Sequence, residues 1–199
     1  MKTLLKKMMV ALLALGIGQA AWADDVPNLK KIVQRAEAGE ADVQVILGSM
    51  YLRGIGVRQS DQEAERWYRK AAEQGLATAQ YHLGVMYANG RGVRQNYEEA
   101  AQWYRKAAEQ GDVDAQNNLG ALYDEGQGVR QDSAEAVRWY RKAAEQGQAE
   151  SQYNLGLMYE VGQGVPKNRK VAKEWHKKAC DNGFQDGCDA YRKLNNEGH

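Results

Sequence analysis

The sequence contains little proline, little cysteine and no excess of charge of one sign. Of 199 residues, 2 are proline and 2 are cysteine, and 27 Lys and Arg residues are balanced by 26 Asp and Glu residues. So little proline leaves almost no compositional signal for disorder. A nearly neutral chain of mixed charge argues against bulk binding to nucleic acid or to an anionic membrane surface. Long apolar runs are also missing, except for one near the N-terminus.

This apolar run has the features of an export signal. Lys2, Lys6 and Lys7 precede or flank the start of the stretch MMVALLALGIG, and AWA at 21–23 has the A-x-A form of a cleavage site. The stretch is too short to span a bilayer, so we expect no stable membrane insertion. We predict a cleaved signal peptide over 1–23 and a periplasmic or secreted protein. An uncleaved anchor is the alternative.

The rest of the chain repeats itself. WYRKAAEQG occurs at 67–75, 103–111 and 139–147, and the related WHKKACDNG occurs at 175–183, always 36 residues apart. A fixed period of this size indicates one supersecondary unit stacked on itself. We predict four repeats, 40–75, 76–111, 112–147 and 148–183. A capping helix over 24–39 precedes them, and a closing helix and tail over 184–199 follow.

Each repeat is predicted to be a pair of helices. In the second repeat, apolar residues at helical spacing predict helix A over 78–89, which Gly90 ends. Asn96 is a good N-cap for helix B, whose buried stripe contains Trp103 and Tyr104. Gly84 lies in mid-helix, where glycine costs about 1 kcal/mol relative to alanine. We expect it to admit a neighbouring helix, with the tryptophan of helix B filling the space.

The two cysteines lie at matching places in the repeat. Cys180 replaces the second alanine of KAAEQG, and Cys188 replaces the glutamine found at 80, 116 and 152. An even cysteine count in an exported chain favours a disulfide, which would join two helices across a tight turn. A catalytic or metal-binding thiol is the alternative.

The repeat resembles a known family. The stretches AQYHLGVMYANGRGV and NYEEAAQWYRKAAEQG look like the Sel-one-like repeat (SLR), a relative of the tetratricopeptide repeat. The resemblance implies an all-α, right-handed α–α superhelical solenoid of stacked helix hairpins that serves as a protein-interaction scaffold. The cysteine pair is similar to those of secreted cysteine-rich SLR proteins, although those have a pair in most repeats.

Some secreted SLR proteins are labelled as beta-lactamases, but the catalytic signals for such an enzyme are missing. None of the four serines has a lysine three positions later, as the S-x-x-K motif of penicillin-binding enzymes requires. His82, His176 and His199 lie in different repeats or at the terminus, which does not suit a zinc site. We therefore predict no catalytic residues, no metal and no cofactor.

Function in a repeat scaffold is expected where the repeats differ. In the related tetratricopeptide scaffold helix A lines the concave surface, and transferring that register gives a groove that is apolar at its N-terminal end and acidic at its C-terminal end. Tyrosines would anchor a partner segment, asparagines would bind its backbone, and carboxylates would bind its Lys or Arg side chains. The predicted groove residues are Arg53, Tyr81, Asn117, Asn118, Asp124, Glu125, Tyr153, Asn154 and Glu160.

For two surfaces, simple exposure to solvent is an alternative interpretation to binding. The carboxylates of the groove are equally well explained as a solvated face. The loop arginines Arg58, Arg94 and Arg130 are favoured as a solvated row, because the repeats copy them unchanged.

Three functions remain open from the sequence. The favoured one is a monomeric, non-enzymatic adaptor of the bacterial envelope that binds a protein or peptide, with a basic partner suggested by the carboxylates. The second is a secreted effector that acts on host proteins. The third is a weak beta-lactamase or a binder of cell-wall fragments.

Overall fold

The chain folds as a row of helices that pack on one another in sequence order. The computed structural model describes residues 29–196, so the predicted signal peptide and the last three residues lie outside the described part. Between residues 29 and 196 there are ten helices and no strand. They are α1 (Leu29–Glu37), α2 (Ala41–Arg53), α3 (Asp61–Glu73), α4 (Ala77–Asn89), α5 (Tyr97–Glu109), α6 (Val113–Glu125), α7 (Ser133–Glu145), α8 (Ala149–Val161), α9 (Arg169–Asp181) and α10 (Gln185–Asn196).

The helices form four hairpins, as the sequence predicted. We call α2, α4, α6 and α8 the A-helices, and α3, α5, α7 and α9 the B-helices. The helix predicted over 78–89 is Ala77–Asn89, and the closing helix is α10. Each helix packs against the next along the chain. The architecture is therefore the predicted right-handed α–α solenoid.

Local signals set the helix ends. Asn96 accepts hydrogen bonds from the backbone N–H groups of Glu98 and Glu99, and Ser60 accepts one from Glu63. These side chains satisfy donors that a helix N-terminus otherwise leaves unpaired. At the other end of each A-helix the chain turns through a glycine, such as Gly90, with φ of 65°. A left-handed residue of this kind stops a helix, and glycine adopts that conformation without steric cost.

The space beside the mid-helix glycine of each A-helix, called here the glycine slot, is filled by a tyrosine ring in three repeats and by a histidine ring in the fourth, not by the tryptophan that we expected. A Cβ atom at Gly84 would lie 2.6 Å from the Cδ1 atom of Tyr104. The same relationship joins Gly48 to Tyr68 and Gly120 to Tyr140, and His176 takes the place of the tyrosine opposite Gly156. The glycine thus allows the A- and B-helices of one repeat to pack closely around an aromatic ring.

The tryptophans instead connect one repeat to the next. Trp103 packs in a cluster with Ala71 and Ala72 of the preceding repeat and with Ala79 and Leu83 of its own repeat. The small alanines leave room for the indole ring. The Lys106 ammonium lies 4.0 Å from the ring centre on the outer side, a favourable cation–π arrangement. Trp67 and Trp139 have lysines in the same place.

A ladder of buried glutamines also joins the repeats. Gln116 donates from Nε2 to the Ala108 carbonyl at 3.0 Å and accepts from Gln146 Nε2 at 2.8 Å. The same pair of bonds occurs at Gln44, Gln80 and Gln152, with Asn182 as the last donor. Each buried amide is therefore satisfied on both sides, which matters because an unpaired buried polar group is costly.

The disulfide replaces this ladder at the last interface. Cys180 and Cys188 are bonded to each other, with Cα atoms 4.4 Å apart. Cys188 stands where the other A-helices have the ladder glutamine, and Cys180 stands where the carbonyl-bearing alanine lies. A covalent bond between α9 and α10 thus takes the place of a hydrogen bond.

Candidate partner-binding surface

The candidate binding surface is formed by the A-helices, and we call it the A-face. It comprises the exposed and half-buried positions of α2, α4, α6 and α8. Two of these helices touch directly: Ser151 Oγ donates to Asn117 Oδ1 at 2.7 Å, and Asn154 Nδ2 lies 3.5 Å from the same oxygen. Asn117 is only 4% exposed. The prediction that Asn117 lines a groove is therefore wrong, because its side chain joins α6 to α8.

An aromatic cluster lies at the N-terminal part of the A-face. The rings of Tyr68 and His82 stack with centres 4.8 Å apart, and the ring of Tyr81 lies 5.4 Å from His82 and 6.1 Å from Tyr104. Burial lowers the pKa of His82, and the nearby Arg53 guanidinium adds to the effect. Two predicted groove residues, Arg53 and Tyr81, are thus placed around one cluster.

A second aromatic cluster lies at the C-terminal end. The ring of Tyr153 lies between His176 and Phe184, with centre distances of 5.4 and 5.3 Å. Tyr153 is half-buried against the residues that lead into α10. Its ring is therefore partly committed to packing, which leaves only part of it for contact with a partner.

The predicted carboxylates differ in how they are engaged. Glu160 lies 3.4 Å from His176 Nε2 and 3.6 Å from the Lys193 ammonium. Asp124 accepts a hydrogen bond from Gln163 Nε2 at 2.7 Å, and burial raises the pKa of Asp124. Glu125 is exposed, and within residues 29–196 it has no ion pair. Of the three predicted carboxylates, Glu160 is close to His176 and Lys193, Asp124 accepts a hydrogen bond from Gln163, and Glu125 has no ion pair in the described part of the chain.

Glu150 is a further carboxylate that the transferred register places on the A-face. Burial raises the pKa of Tyr81, and Asp114, Asp112 and Glu150 add to the shift. Tyr81 is in α4 and Glu150 is in α8, so the charge of Glu150 acts across the intervening helix α6. Tyr81 is therefore in the electrostatic field of acidic side chains that come from α6 and α8.

The ring that fills each glycine slot presents its polar tip to the A-face. The Tyr68 hydroxyl hydrogen-bonds with Ser49 Oγ at 2.9 Å. Burial raises the pKa of Tyr104, and the nearby Asn118 side chain opposes this shift. His176 has Glu160, as described above. Burial raises the pKa of Tyr140, and the carboxylates of Asp124, Glu125 and Glu150 add to the shift. Asn118, a predicted groove residue, therefore lies near the ring of Tyr104.

The loop arginines form the other surface that the sequence singled out. Arg58, Arg94 and Arg130 are exposed in the loops between the A- and B-helices, and in the described part of the chain they form no ion pair. No helix within residues 29–196 is both long and apolar enough to cross a membrane. The same residues include no group of three or more His, Cys, Asp or Glu side chains arranged to hold a metal ion.

Comparison with known proteins agrees with the repeat architecture. The profile of the Sel1 repeat matches residues 41–76, 77–112, 113–148 and 149–184. A comparison with curated proteins gave no match.

Three solved structures show how far the similarity extends. The chain is 43% identical to c5321, described as a protective antigen present in uropathogenic Escherichia coli strains that displays an SLR fold, over 86% of this chain and 37% of that one, with a TM-score of 0.84. A Sel1 repeat protein from Oxalobacter formigenes is 39% identical over 81% of this chain and 64% of its own, with a TM-score of 0.75. Cysteine-rich protein B of Helicobacter pylori is 29% identical over 67% of this chain and 96% of its own, with a TM-score of 0.53.

The chain therefore spans little more than a third of the E. coli protein and just under two thirds of the O. formigenes protein. Four matched repeats cover most of the described residues, and the helix pairs have the geometry of those relatives. The chain belongs to the Sel1 repeat family, whose repeats generally form scaffolds for protein–protein interaction.

Proposed function

We propose that this protein is a non-enzymatic adaptor of the bacterial envelope that binds a segment of a partner protein on the A-face. The supporting observation is that the residues copied from repeat to repeat and the residues that vary lie in different parts of the fold. The rings in the glycine slots, the tryptophans and the ladder glutamines recur from repeat to repeat and are buried. The A-face residues differ from repeat to repeat. Copied residues build the stack, so the variable residues are available to select a partner.

The character of the A-face suits an extended or helical segment. Its N-terminal part offers the aromatic cluster around Tyr81, and its C-terminal part offers carboxylates that include Glu125 and Glu150. Tyrosine provides a large contact area with few rotatable bonds, which favours it in binding surfaces. A partner with apolar side chains at one end and Lys or Arg at the other would complement this surface.

The disulfide supports the location. Disulfides persist in oxidising compartments such as the periplasm and the extracellular space. A periplasmic or secreted protein is therefore consistent with both the bonded cysteines and the predicted signal peptide. Mass spectrometry of the chain recovered from the periplasm tests the second point: a mature N-terminus at Asp24 is expected, and an intact residue 1 would contradict it.

A secreted role on host proteins is the second candidate. It is favoured by the 43% identity to a chain described as a protective antigen of uropathogenic strains. Fractionation of cells that produce the full-length chain separates the two candidates. Recovery from the periplasm supports the adaptor, and recovery from the culture supernatant supports the secreted role.

Site-specific photo-crosslinking in the producing cells tests the A-face. A benzophenone amino acid is placed at Glu125 or Val161, which are exposed on the A-helices, and at Gln62 or Gln102, which are exposed on the B-helices. We expect a crosslinked partner protein from the A-helix positions only. Equal crosslinking from the B-helix positions would move the interaction to the opposite face, and no crosslink from any position would contradict a protein-binding function.

A further inference from the structure

The first repeat holds a pair of hydroxyl groups at the N-terminal end of the A-face. The Tyr68 hydroxyl and Ser49 Oγ are 2.9 Å apart, and neither group has another hydrogen bond within residues 29–196. Tyr68 is buried, with 1% of its area exposed, whereas Ser49 is half-buried on α2. A phenol is more acidic than an alcohol, so the Tyr68 hydroxyl is the better donor and Ser49 Oγ accepts. The proton of Ser49 is then left for a ligand on the A-face.

A histidine ring lies beside this pair of hydroxyls. The imidazole of His82 stacks on the ring of Tyr68, with ring centres 4.8 Å apart. Neither ring nitrogen has a hydrogen-bond partner in the described part of the chain, and both keep some contact with solvent. Burial and the Arg53 guanidinium lower the pKa of His82, although Asp114 opposes the shift. At neutral pH the imidazole is therefore uncharged and offers one N–H donor.

The cation of this group is Arg53, the last residue of α2. It is exposed and has no ion pair with any of residues 29–196. Arg53 follows Ser49 by four residues, so the two side chains are neighbours on one face of α2. Helical side chains lean toward the N-terminus of their helix, which directs Arg53 toward Ser49. The positive field of Arg53 reaches both the Tyr68 hydroxyl and His82.

The other charges near the group are already engaged or lie on another helix. Arg91 also acts on the Tyr68 hydroxyl, but it forms an ion pair with Asp61 at 3.0 Å and donates to the Leu52 carbonyl. The carboxylate of Asp114, in α6, acts on His82. Arg53 therefore stays a positive charge without a counter-ion among the residues that the structure describes.

This combination of side chains occurs in the first repeat alone. The second, third and fourth repeats have Asn89, Glu125 and Val161 at the place of Arg53, and at the place of Ser49 they have residues without a hydroxyl. The group is therefore not part of the framework that the repeats copy.

We infer that Arg53, Ser49 and His82 form a site for one carboxylate of the bound segment. The guanidinium donates to the carboxylate oxygens, and the Ser49 hydroxyl and the His82 N–H each donate a further hydrogen bond. A carboxylate suits the site, because it carries one negative charge, as Arg53 carries one positive charge, and accepts hydrogen bonds on both oxygens. This inference rests on the proposed function and adds the chemical group that the first two repeats hold.

The probes are three short peptides, each labelled at its N-terminus with an uncharged fluorophore and titrated with the full-length chain. The first alternates glutamate and serine and has an amidated C-terminus, so its carboxylates are all side chains. The second alternates leucine and serine and has a free C-terminus. The third is the amidated form of the second and has no carboxylate. We expect the first or the second peptide to bind and the third not to bind. The peptide that binds shows whether the site takes a side-chain or a terminal carboxylate.

Two substitutions test the site with residues that other repeats already have at the same positions. Arg53→Asn introduces the residue of the second repeat, and Ser49→Ala introduces that of the third. We expect Arg53→Asn to weaken binding at least about fivefold and Ser49→Ala about threefold. His82→Phe keeps a ring on Tyr68 but removes the N–H donor, and it should also weaken binding about threefold.

The matched control is Arg58→Asn. Arg58 is exposed in the loop that follows α2, so this substitution reproduces the change in net charge outside the site. It should change the affinity by less than about twofold. Far-ultraviolet circular dichroism verifies that each variant is folded.

Three outcomes would overturn the inference. They are absence of binding of all three peptides to the wild-type chain, binding of the peptide without a carboxylate as tight as that of the others, and equal weakening by Arg58→Asn and Arg53→Asn. The proposed function has its own test in the crosslinking experiment. If Glu125 or Val161 crosslinks a partner protein while Arg53→Asn leaves peptide binding unchanged, the A-face function stands and the carboxylate site is wrong.

Discussion

The ring of Tyr104 lies where the side chain of any residue other than glycine at position 84 would have to be. The Cδ1 and Cε1 atoms of Tyr104 would be 2.6 and 2.7 Å from an added Cβ atom. Alanine would raise helix propensity by about 1 kcal/mol, but forcing a methyl group into this packed contact costs about 1–3 kcal/mol. We therefore expect Gly84→Ala to lower the free energy of unfolding by up to about 2 kcal/mol, measured by urea denaturation.

The same substitution should change sign when the ring is removed. In a Tyr104→Ala background, Gly84→Ala should raise the free energy of unfolding by about 1 kcal/mol, because only the propensity gain remains. A destabilisation of equal size in both backgrounds would show that the glycine is needed for another reason.

Removing a glutamine of the ladder should destabilise the protein more than removing an exposed glutamine. Gln116→Ala leaves the buried carbonyl of Ala108 and the amide of Gln146 without their partner. Leaving a buried polar group unpaired costs about 1–3 kcal/mol, and we expect a loss of stability in that range. Gln102→Ala, at an exposed position of α5, is the control and should be nearly neutral. Equal effects of the two substitutions in thermal denaturation would refute a structural role for the ladder.

At the interface between α9 and α10, the two cysteines can be replaced by the residues that the other repeats have at the same positions. Reducing the disulfide, or replacing both cysteines by alanine, should lower the free energy of unfolding by about 2.5 kcal/mol. Cys180→Ala combined with Cys188→Gln should be less destabilised than the double alanine variant by about 1 kcal/mol, because the new glutamine can donate to the carbonyl at 180 as Gln152 does to Ala144. Identical stabilities of the two variants would mean that α10 does not dock like an A-helix.

His176 should make stability depend on pH. Burial lowers its pKa in the folded chain, although Glu160 opposes the shift, and the Lys193 ammonium adds to it. The unfolded chain has the ordinary histidine pKa of about 6.5, so below that pH the unfolded state binds more protons. Stability should therefore fall as pH drops through about 6.5.

The variant that isolates this effect is His176→Tyr, which restores the residue found in the other glycine slots. It should flatten the dependence of the free energy of unfolding on pH between about 7 and 5.5. Persistence of the full slope in the variant would assign the dependence to other groups, of which the half-buried His82, whose pKa burial also lowers, is one.

The parts of the fold that follow from local signals could be predicted from the sequence. Caps such as Asn96 and turn glycines such as Gly90 act within a few residues of themselves, so the period and these residues placed the helix ends to within about one residue. The partner of Gly84 could not be predicted in the same way. Trp103 and Tyr104 are neighbours in one buried stripe, and the step of about 100° between them decides which faces the same repeat and which faces the previous one.

The site was harder to predict for a related reason. Asn117 and Asn118 are adjacent in sequence, but Asn117 is buried between α6 and α8 whereas Asn118 meets Tyr104. Glu160 was predicted to be available, yet Lys193 comes from α10, whose position depends on the whole C-terminal packing.

At the last interface a covalent bond replaces a hydrogen bond. The two ends of the stack therefore differ in how well they resist a pulling force. Under tension along its axis, repeats joined only by packing and by the glutamine ladder can separate one after another. The α9–α10 junction cannot separate until its disulfide is reduced. Under such tension the junctions that lack a disulfide would therefore separate before the α9–α10 junction does.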